Sequence, residues 1–340
     1  VNAKKLSLGT RARYLFLRVK GFNFSSVWSR ARDVAKQHNR STFGVFVDML
    51  WSAAFHNTAF QDYVDFEFAT LNRQERATYM THSLSNHLAM TYDDPKYREL
   101  FHDKIEFNRV FDEFLGREWL DIRESSADGV RDFFERHRTV VAKEPFSNSG
   151  HGVHRHRYED VSDWGAFYAE LKQSGQSLIE ENIKQHPTLA EVCPGTANTT
   201  RITTFFDGDR THVLSMAQKF GRGTVSDQQT YGGFYTMLNL DGSARGAGYD
   251  SHGNVHATHP ESGVSIPDFQ LPMVQEMFDF IDRVARTVPQ MQYVGWDVVI
   301  TADGPVLVEG NWAAGVYENK PSVTGIRTGS LPRFREAIGF

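Results

Sequence analysis

Residues 295–311 read GWDVVITADGPVLVEGN. Two runs rich in Val, Ile and Leu flank a TADGP turn, and Trp296, Asp297, Glu309 and Asn311 sit inside them. Asp303-Gly304 between apolar runs is a strong hairpin signal. A hairpin centred near residue 303 pairs positions whose numbers sum to about 606 or 607, which sets Asp297 opposite Glu309 or its neighbour. Strand side chains alternate, so Glu309 and Asn311 share a face, while Val298, Ile300, Val306 and Val308 are expected to point into the core. Two carboxylates this close repel, and one is driven neutral unless a cation lies between them. Such hard oxygen donors suit Mg2+, which keeps waters and shares substrate phosphates. The alternative is a carboxylate pair on a solvated strand face, but the flanking runs are too apolar for a fully wet strand.

A magnesium site of this kind calls for phosphate, and phosphate calls for donors. VVAKEPFSNSGHGV at residues 140–153 supplies them. Lys143 ends a short strand as a point charge able to reach a phosphate. Ser147, Asn148, Ser149, Gly150 and Gly152 then let backbone N–H groups approach an anion closely. Neither a G-x-x-x-x-G-K-[ST] loop nor a G-x-G-x-x-G turn after a strand is present, so phosphate binding would use a different architecture. Two histidine groups, His151/His154/His156 and His252/His256/His259, have spacings that zinc can use. Both lie in loops rich in Gly or Pro, which favours substrate contacts or plain loop histidines.

The chain has 340 residues and is 40% hydrophobic, enough for two or three lobes with real cores. Its single cysteine, Cys193, excludes an intramolecular disulfide and suits a reducing cytoplasm. No apolar run approaches the roughly 18 residues of a spanning helix, and no internal repeat or low-complexity tract appears. The net charge of −5 is uneven. Residues 1–40 hold ten Lys or Arg against Asp33 alone. That segment is expected to meet an anionic membrane surface or phosphorylated substrate peripherally, or else to form a solvated basic helical face. No nucleic-acid-reading motif accompanies it, so no nucleic-acid partner is expected. Oligomeric state is not legible.

Residues 1 to about 100 read as mostly helical, with FGVFVDMLWSAAFHNTAF apolar all round, as in a buried helix. KIEFNRVFDEFLGREWL reads as one amphipathic helix, with Phe107, Val110, Phe111 and Phe114 on its apolar face. TVVAKEPF and SLIEENI read as strands, with a helix from about Trp164 to Lys172 between them. From Asn198 onward strands dominate, interrupted by LPMVQEMFDFIDRVARTVP, a helix stopped by Pro289. This order predicts an α+β class rather than a doubly wound sheet.

The set DKIEFNRVF, VVAKEPFSNSGHGV, LIEENIKQHP, ANTTRITTFF, GGF, HPESGVSIP and GWDVVITADGPVLVEGN resembles ATP-grasp proteins, specifically the sugar-transfer associated branch, over residues 85–312. The resemblance implies an ATP-grasp fold of two α+β lobes closing on ATP. The expected division is an N-terminal helical region over 1–100, a small lobe with the glycine loop over 101–183, and a large lobe with the metal site over 184–340. It implies phosphate-facing roles for Lys104 and Lys143, with Ser149, Gly150 and Gly152 in the covering loop. It implies an adenine-binding hinge strand at Glu180, Glu181, Asn182 and Ile183, and a ribose acid that is Glu181 or, across an insertion, Glu191. Arg201 and Arg222 match basic positions near the transferred phosphate; with Lys143 they form the expected catalytic set. Asp297, Glu309 and Asn311 match ligands for Mg2+, expected as two ions. The stretch SDQQTYGG departs from the Asn-containing stretch usual before the paired glycines.

The implied activity is an ATP-dependent ligase of the C–N bond-forming kind. It would join a carboxylate to an amine through an acyl phosphate, on a saccharide- or cell-envelope-related substrate. A phosphotransferase and a non-catalytic nucleotide-binding module are the alternatives. The acyl-phosphate route needs positioning and charge neutralisation, not a serine or cysteine nucleophile.

Overall fold

The computed structural model describes residues 23–147 and 150–340. Residues 1–22 of the basic segment, and Asn148 and Ser149 of the glycine loop, lie outside the described residues. The chain forms two compact units, Val1–Thr91 with Ala313–Phe340, and Tyr92–Trp312.

The first unit is helical. Asn23 caps α1 (Phe24–Gln37) by accepting from Ser26 N–H at 3.2 Å, and Ser41 caps α2 (Thr42–Phe55). Val27, Ala31 and Val34 of α1 pack with Val45, Phe46 and Met49 of α2 and with Tyr63, Phe68 and Tyr79. The stretch read as a helix buried all round is buried on one face only, and Phe43 and Trp51 stand exposed. Propensity and composition cannot tell a buried helix from a half-covered one; neighbouring elements decide it. Residues 313–340, expected in the large lobe, complete this unit instead. Buried Glu318 accepts from Met80 N–H at 2.8 Å and from the Ser330 hydroxyl at 2.6 Å, and Glu67 accepts from Ser322 N–H at 2.8 Å. These carboxylates satisfy backbone donors that burial would otherwise leave unpaired.

In the second unit, the helix read through KIEFNRVFDEFLGREWL is broken. It forms α3 (Lys104–Val110) and α4 (Asp112–Leu115), which ends at Gly116 with φ +57°. Phe107, Phe111 and Phe114 are buried, but Val110, expected beside them, is 41% exposed. The chain leaves helical geometry at Phe111 (φ −104°, ψ 20°), so the helical phase is not continuous past it. Its tail becomes strand β1 (Trp119–Asp121). The strand pairs with β4 (Leu178–Glu181) in a four-stranded antiparallel sheet of order β1-β4-β2-β3, completed by β2 (Thr139–Lys143) and β3 (Val153–Arg157). Helices α5 (Ala127–His137) and α6 (Trp164–Gln173) cover it through Phe133, Phe134 and Leu171.

The larger sheet has seven strands: β5 (Thr200–Phe206), β6 (Thr211–Phe220), β7 (Phe234–Met237), β8 (Gly248–Tyr249), β9 (Val255–His256), β10 (Tyr293–Thr301) and β11 (Gly304–Asn311). Their order is β11-β10-β5-β6-β7-β8-β9. Helix α7 (Val274–Thr287) packs Met277, Phe280, Ile281 and Val284 into one core with Trp296, Val298, Ile300 and Leu307. Strand alternation then turns Asp297 to the opposite face.

Candidate functional site

The hairpin of β10 and β11 pairs Thr301 with Gly304 and Val298 with Leu307, but Asp297 with Glu309. Val308 is therefore an extra residue, a β-bulge. It was expected in the core; instead it lines the cleft beside Glu309, and Leu307 takes the core position. Without that bulge Asp297 would face residue 308, so the bulge creates the carboxylate pair.

Asp297 is buried and its neighbours are cationic. Strand pairing sets Arg201 of β5 directly beside it, and the guanidinium grips it through Nε at 2.7 Å and a second nitrogen at 3.0 Å. Lys219 of β6 reaches the same carboxylate at 3.3 Å and Asp227 at 3.4 Å. Asp227 also accepts from Thr199 N–H at 2.8 Å and Thr199 Oγ1 at 2.6 Å. Burial alone would raise the Asp297 carboxyl, but Arg201 and Lys219 hold it well below the usual carboxylate range. Glu309 moves the other way, raised by burial and by the charge of Asp297 beside it. Asn311 Nδ2 lies 3.4 Å from Glu309 Oε1.

A second buried cluster lies on the smaller sheet. Glu180 accepts from Arg117 at 2.9 Å and from Asn108 Nδ2 at 2.8 Å, and pairs with Lys143. Burial pushes this carboxyl up, yet Arg117 and Lys143 pull it far below its ordinary value. Lys104, at the start of α3, donates to the carbonyls of Ser147, Glu144 and Pro145 beneath the glycine loop. Burial lowers its ammonium pKa, opposed by Glu309 and reinforced by Lys143. Gly150 and Gly152 both adopt left-handed backbone, with φ +75° and +64°.

Both clusters line one cleft of about 850 Å3, part of it open to solvent. Lys104, Lys143, Ser147, Gly150 and Glu180–Ile183 form one side; Thr199, Lys219, Asp227, Asp297 and Glu309 form the other. Asn311 lines an adjoining recess with Lys104, Lys143 and Glu309.

A family model described as sugar-transfer associated ATP-grasp matches residues 139–326, more than half of the chain. The chain belongs to this family. Solved structures similar to the chain are of low identity. The ATP-grasp ligase PsnB, complexed with a phosphomimetic variant of its minimal precursor, Mg and ADP, is 12% identical, with 78% of this chain and 68% of that one covered and a TM-score of 0.39. D-alanyl-alanine synthetase A from Vibrio cholerae is 14% identical over 76% and 68%, with a TM-score of 0.42. The D-cycloserine synthetase DcsG is 14% identical over 83% and 81%, also at 0.42. No curated protein matches the chain.

The remaining expected residues of this ATP-grasp chain are placed less uniformly. Arg222 is outside the cleft lining, on an exposed loop 3.8 Å from Glu261. Glu191 is exposed on the short helix Pro187–Val192 and also outside the lining, whereas Glu181 lines the cleft. Gly152 is outside the cleft lining, and Ser149 lies outside the described residues. Among the described residues no three of His, Cys, Asp and Glu come together as a metal cluster. His256 stacks on Phe234, His259 meets the same ring at a tilt, and His259 bonds the Gly221 carbonyl at 2.8 Å, so these two serve packing. Cys193 is buried and outside the cleft lining; burial raises its thiol, but hydrogen bonds from His259, Gly223 N–H and Thr196 bring it to about 7.

Sequence reasoning missed Lys219, Arg117 and Asn108. Lys219 had a signal: a lysine inside LSMAQKF, a strand segment buried throughout, needs a buried anion. Arg117 follows a turn glycine and Asn108 sits mid-helix, so neither stands out until Glu180 packs against both.

Proposed function

We propose that this chain is an ATP-dependent ligase that activates a carboxylate as an acyl phosphate and joins it to an amine. One observation carries the reading. A single cleft combines a wall holding Lys104 and Lys143 with a wall holding the paired carboxylates of buried Asp297 and half-buried Glu309. Family membership supports ATP as the phosphoryl donor, and the family's sugar-transfer association supports a saccharide-borne substrate.

Lys104 and Lys143 bind the phosphates of ATP as point charges, and the left-handed glycines let loop N–H groups approach. Glu181, Asn182 and Ile183 hold the nucleoside. Arg201 and Lys219 keep Asp297 ionised and oriented. The raised Glu309 carboxyl fits a divalent cation, because a dication beside it relieves the repulsion that holds its proton. Asp297, Glu309 and Asn311 would hold Mg2+, expected as two ions, which when bound neutralises charge on the phosphate oxygens. A substrate carboxylate oxygen attacks the γ-phosphorus, the bond to the bridging oxygen breaks, and ADP leaves. The amine nitrogen then attacks the acyl carbon; the C–O bond breaks, phosphate leaves with its electron pair, and the nitrogen loses a proton.

The test is ADP and phosphate release with panels of carboxylates and amines. A ligase releases both only when two substrates are present, and a heavy-oxygen label in the carboxylate appears in the phosphate. ADP with the phosphoryl group retained on one substrate would make the chain a phosphotransferase. Label staying in the product carboxyl-derived oxygen alone would exclude the acyl phosphate.

A further inference from the structure

Helix α2 shows solvent a face without a polar side chain. Phe43, Val47, Trp51 and Phe55 recur at every fourth residue and are 66%, 47%, 52% and 64% exposed. Gly44 is the only other exposed residue of the helix. Its polar groups turn away: Asp48 pairs with Arg76 at 2.7 Å and accepts from the Tyr63 hydroxyl at 2.6 Å, and Ser52 is buried. The Trp51 and Phe55 rings touch at a tilt of 33° with centroids 4.0 Å apart, and the stripe runs along about 18 Å of helix. Single exposed apolar residues are ordinary, but a continuous stripe of large ones marks a surface that is covered in use.

Charge selects the partner. By sequence, the residues of the unit that carries α2 include sixteen Lys and Arg against eight Asp and Glu, net +8, with six of those cations in residues 1–22, outside the described residues, whereas Tyr92–Trp312 holds 21 against 34, net −13. A second copy joined stripe to stripe would bring two units of +8 together, an arrangement that repulsion opposes. An anionic bilayer has the opposite sign, Trp favours its headgroup level, and Phe suits the apolar face buried at the headgroup–acyl boundary. Among the described residues no helix is long and apolar enough to cross a membrane. At fourteen residues, α2 suits lying in the plane of the surface.

We infer that α2 is an in-plane anchor: Phe43, Val47, Trp51 and Phe55 enter the headgroup–acyl boundary of an anionic bilayer, held there by the basic charge of the same unit. The full chain should therefore sediment with phosphatidylcholine vesicles containing phosphatidylglycerol and much less with phosphatidylcholine alone. Salt should remove part of the binding and leave a residue due to apolar insertion. The double variant Trp51→Ser/Phe55→Ser should lose that residue and partition about tenfold or more weakly, with its melting temperature and ADP release unchanged. Phe43→Ser/Val47→Ser, at the other end of the stripe, should act alike, which guards against a folding artefact in either variant. Both double variants binding as tightly as the parent would overturn the inference. So would a parent chain that ignores anionic vesicles at low salt, or one that self-associates through the stripe and becomes monomeric in the variants.

Discussion

Half-buried Glu309 and buried Glu180 are carboxylates with opposite balances. Glu309 has an anion beside it and is raised; Glu180 has two cations and is lowered. The expected consequences differ accordingly. Glu309→Gln keeps size and removes the charge that a cation would meet, so the protein should fold with unchanged melting while ADP release falls by about a hundredfold or more. Steady-state assay beside a melting curve checks both halves. Arg117→Met should act on the fold instead. It leaves Glu180 buried with one cation fewer, and breaking such a pair costs roughly 3–5 kcal/mol, readable by urea unfolding. Of these residues, Glu309 stands out in the sequence because it interrupts an apolar run; Arg117 does not, because its anion arrives from 63 positions away.

Glycines set the elements at two critical places. Gly116 ends α4 at φ +57°, and a Cβ there would sit 2.3 Å from Val306 Cγ1 of the β10–β11 hairpin. Gly116→Ala combines left-handed strain with a clash and should destabilise by roughly 2–4 kcal/mol, measured by denaturant titration. Gly233 is different. Its added Cβ would lie 2.1 Å from the Asp227 carbonyl oxygen, and Asp227 anchors Thr199 and Lys219. Gly233→Ala should therefore shift that loop and lower turnover by about tenfold or more, with a smaller effect on melting. The element boundaries show the same division between local and distant causes. Strands β2, β4, β5, β6 and both arms of the hairpin were readable from alternation and turn residues. The break at Phe111 and the bulge at Val308 were not, because each follows from what packs or pairs across the sheet.

The stability of the whole molecule should depend on pH in two opposing ways. Burial pushes the Asp93 carboxyl up to about 7, where Oδ1 accepts from Tyr293 N–H at 2.8 Å. The folded state keeps a proton that the unfolded chain loses near pH 4, so this contribution is complete below about pH 4 and is lost as pH rises through 7. Asp121 and Asp282 are shifted the other way: burial would raise Asp121 but hydrogen bonds from Arg123 lower it, and hydrogen bonds from Arg286 lower Asp282 against a smaller effect of burial. Their contribution is present above the ordinary Asp value and lost as pH falls below it. Asp93→Asn keeps the acceptor oxygen and removes the titration. It should flatten the decline in melting temperature between pH 5 and 8 while leaving the acid limb in place, as thermal scans across pH would show.

The sequence alone determined the α+β class, the hairpin and its two carboxylates, Lys143 at a strand end before a glycine loop, and the charge imbalance of the first forty residues. Each is written in short-range chemistry: period-two alternation, a turn dipeptide, or a local count of charge. Tertiary structure decided what those groups mean to one another. Arg201 and Lys219 reach Asp297 only through the pairing of β10 with β5 and β5 with β6. Arg117 reaches Glu180 from outside its strand, Arg222 lies outside the cleft lining, and α2 leaves half of an apolar helix uncovered. Register, bulges and coverage depend on residues far apart in the chain, and no local pattern encodes which distant side chain will arrive.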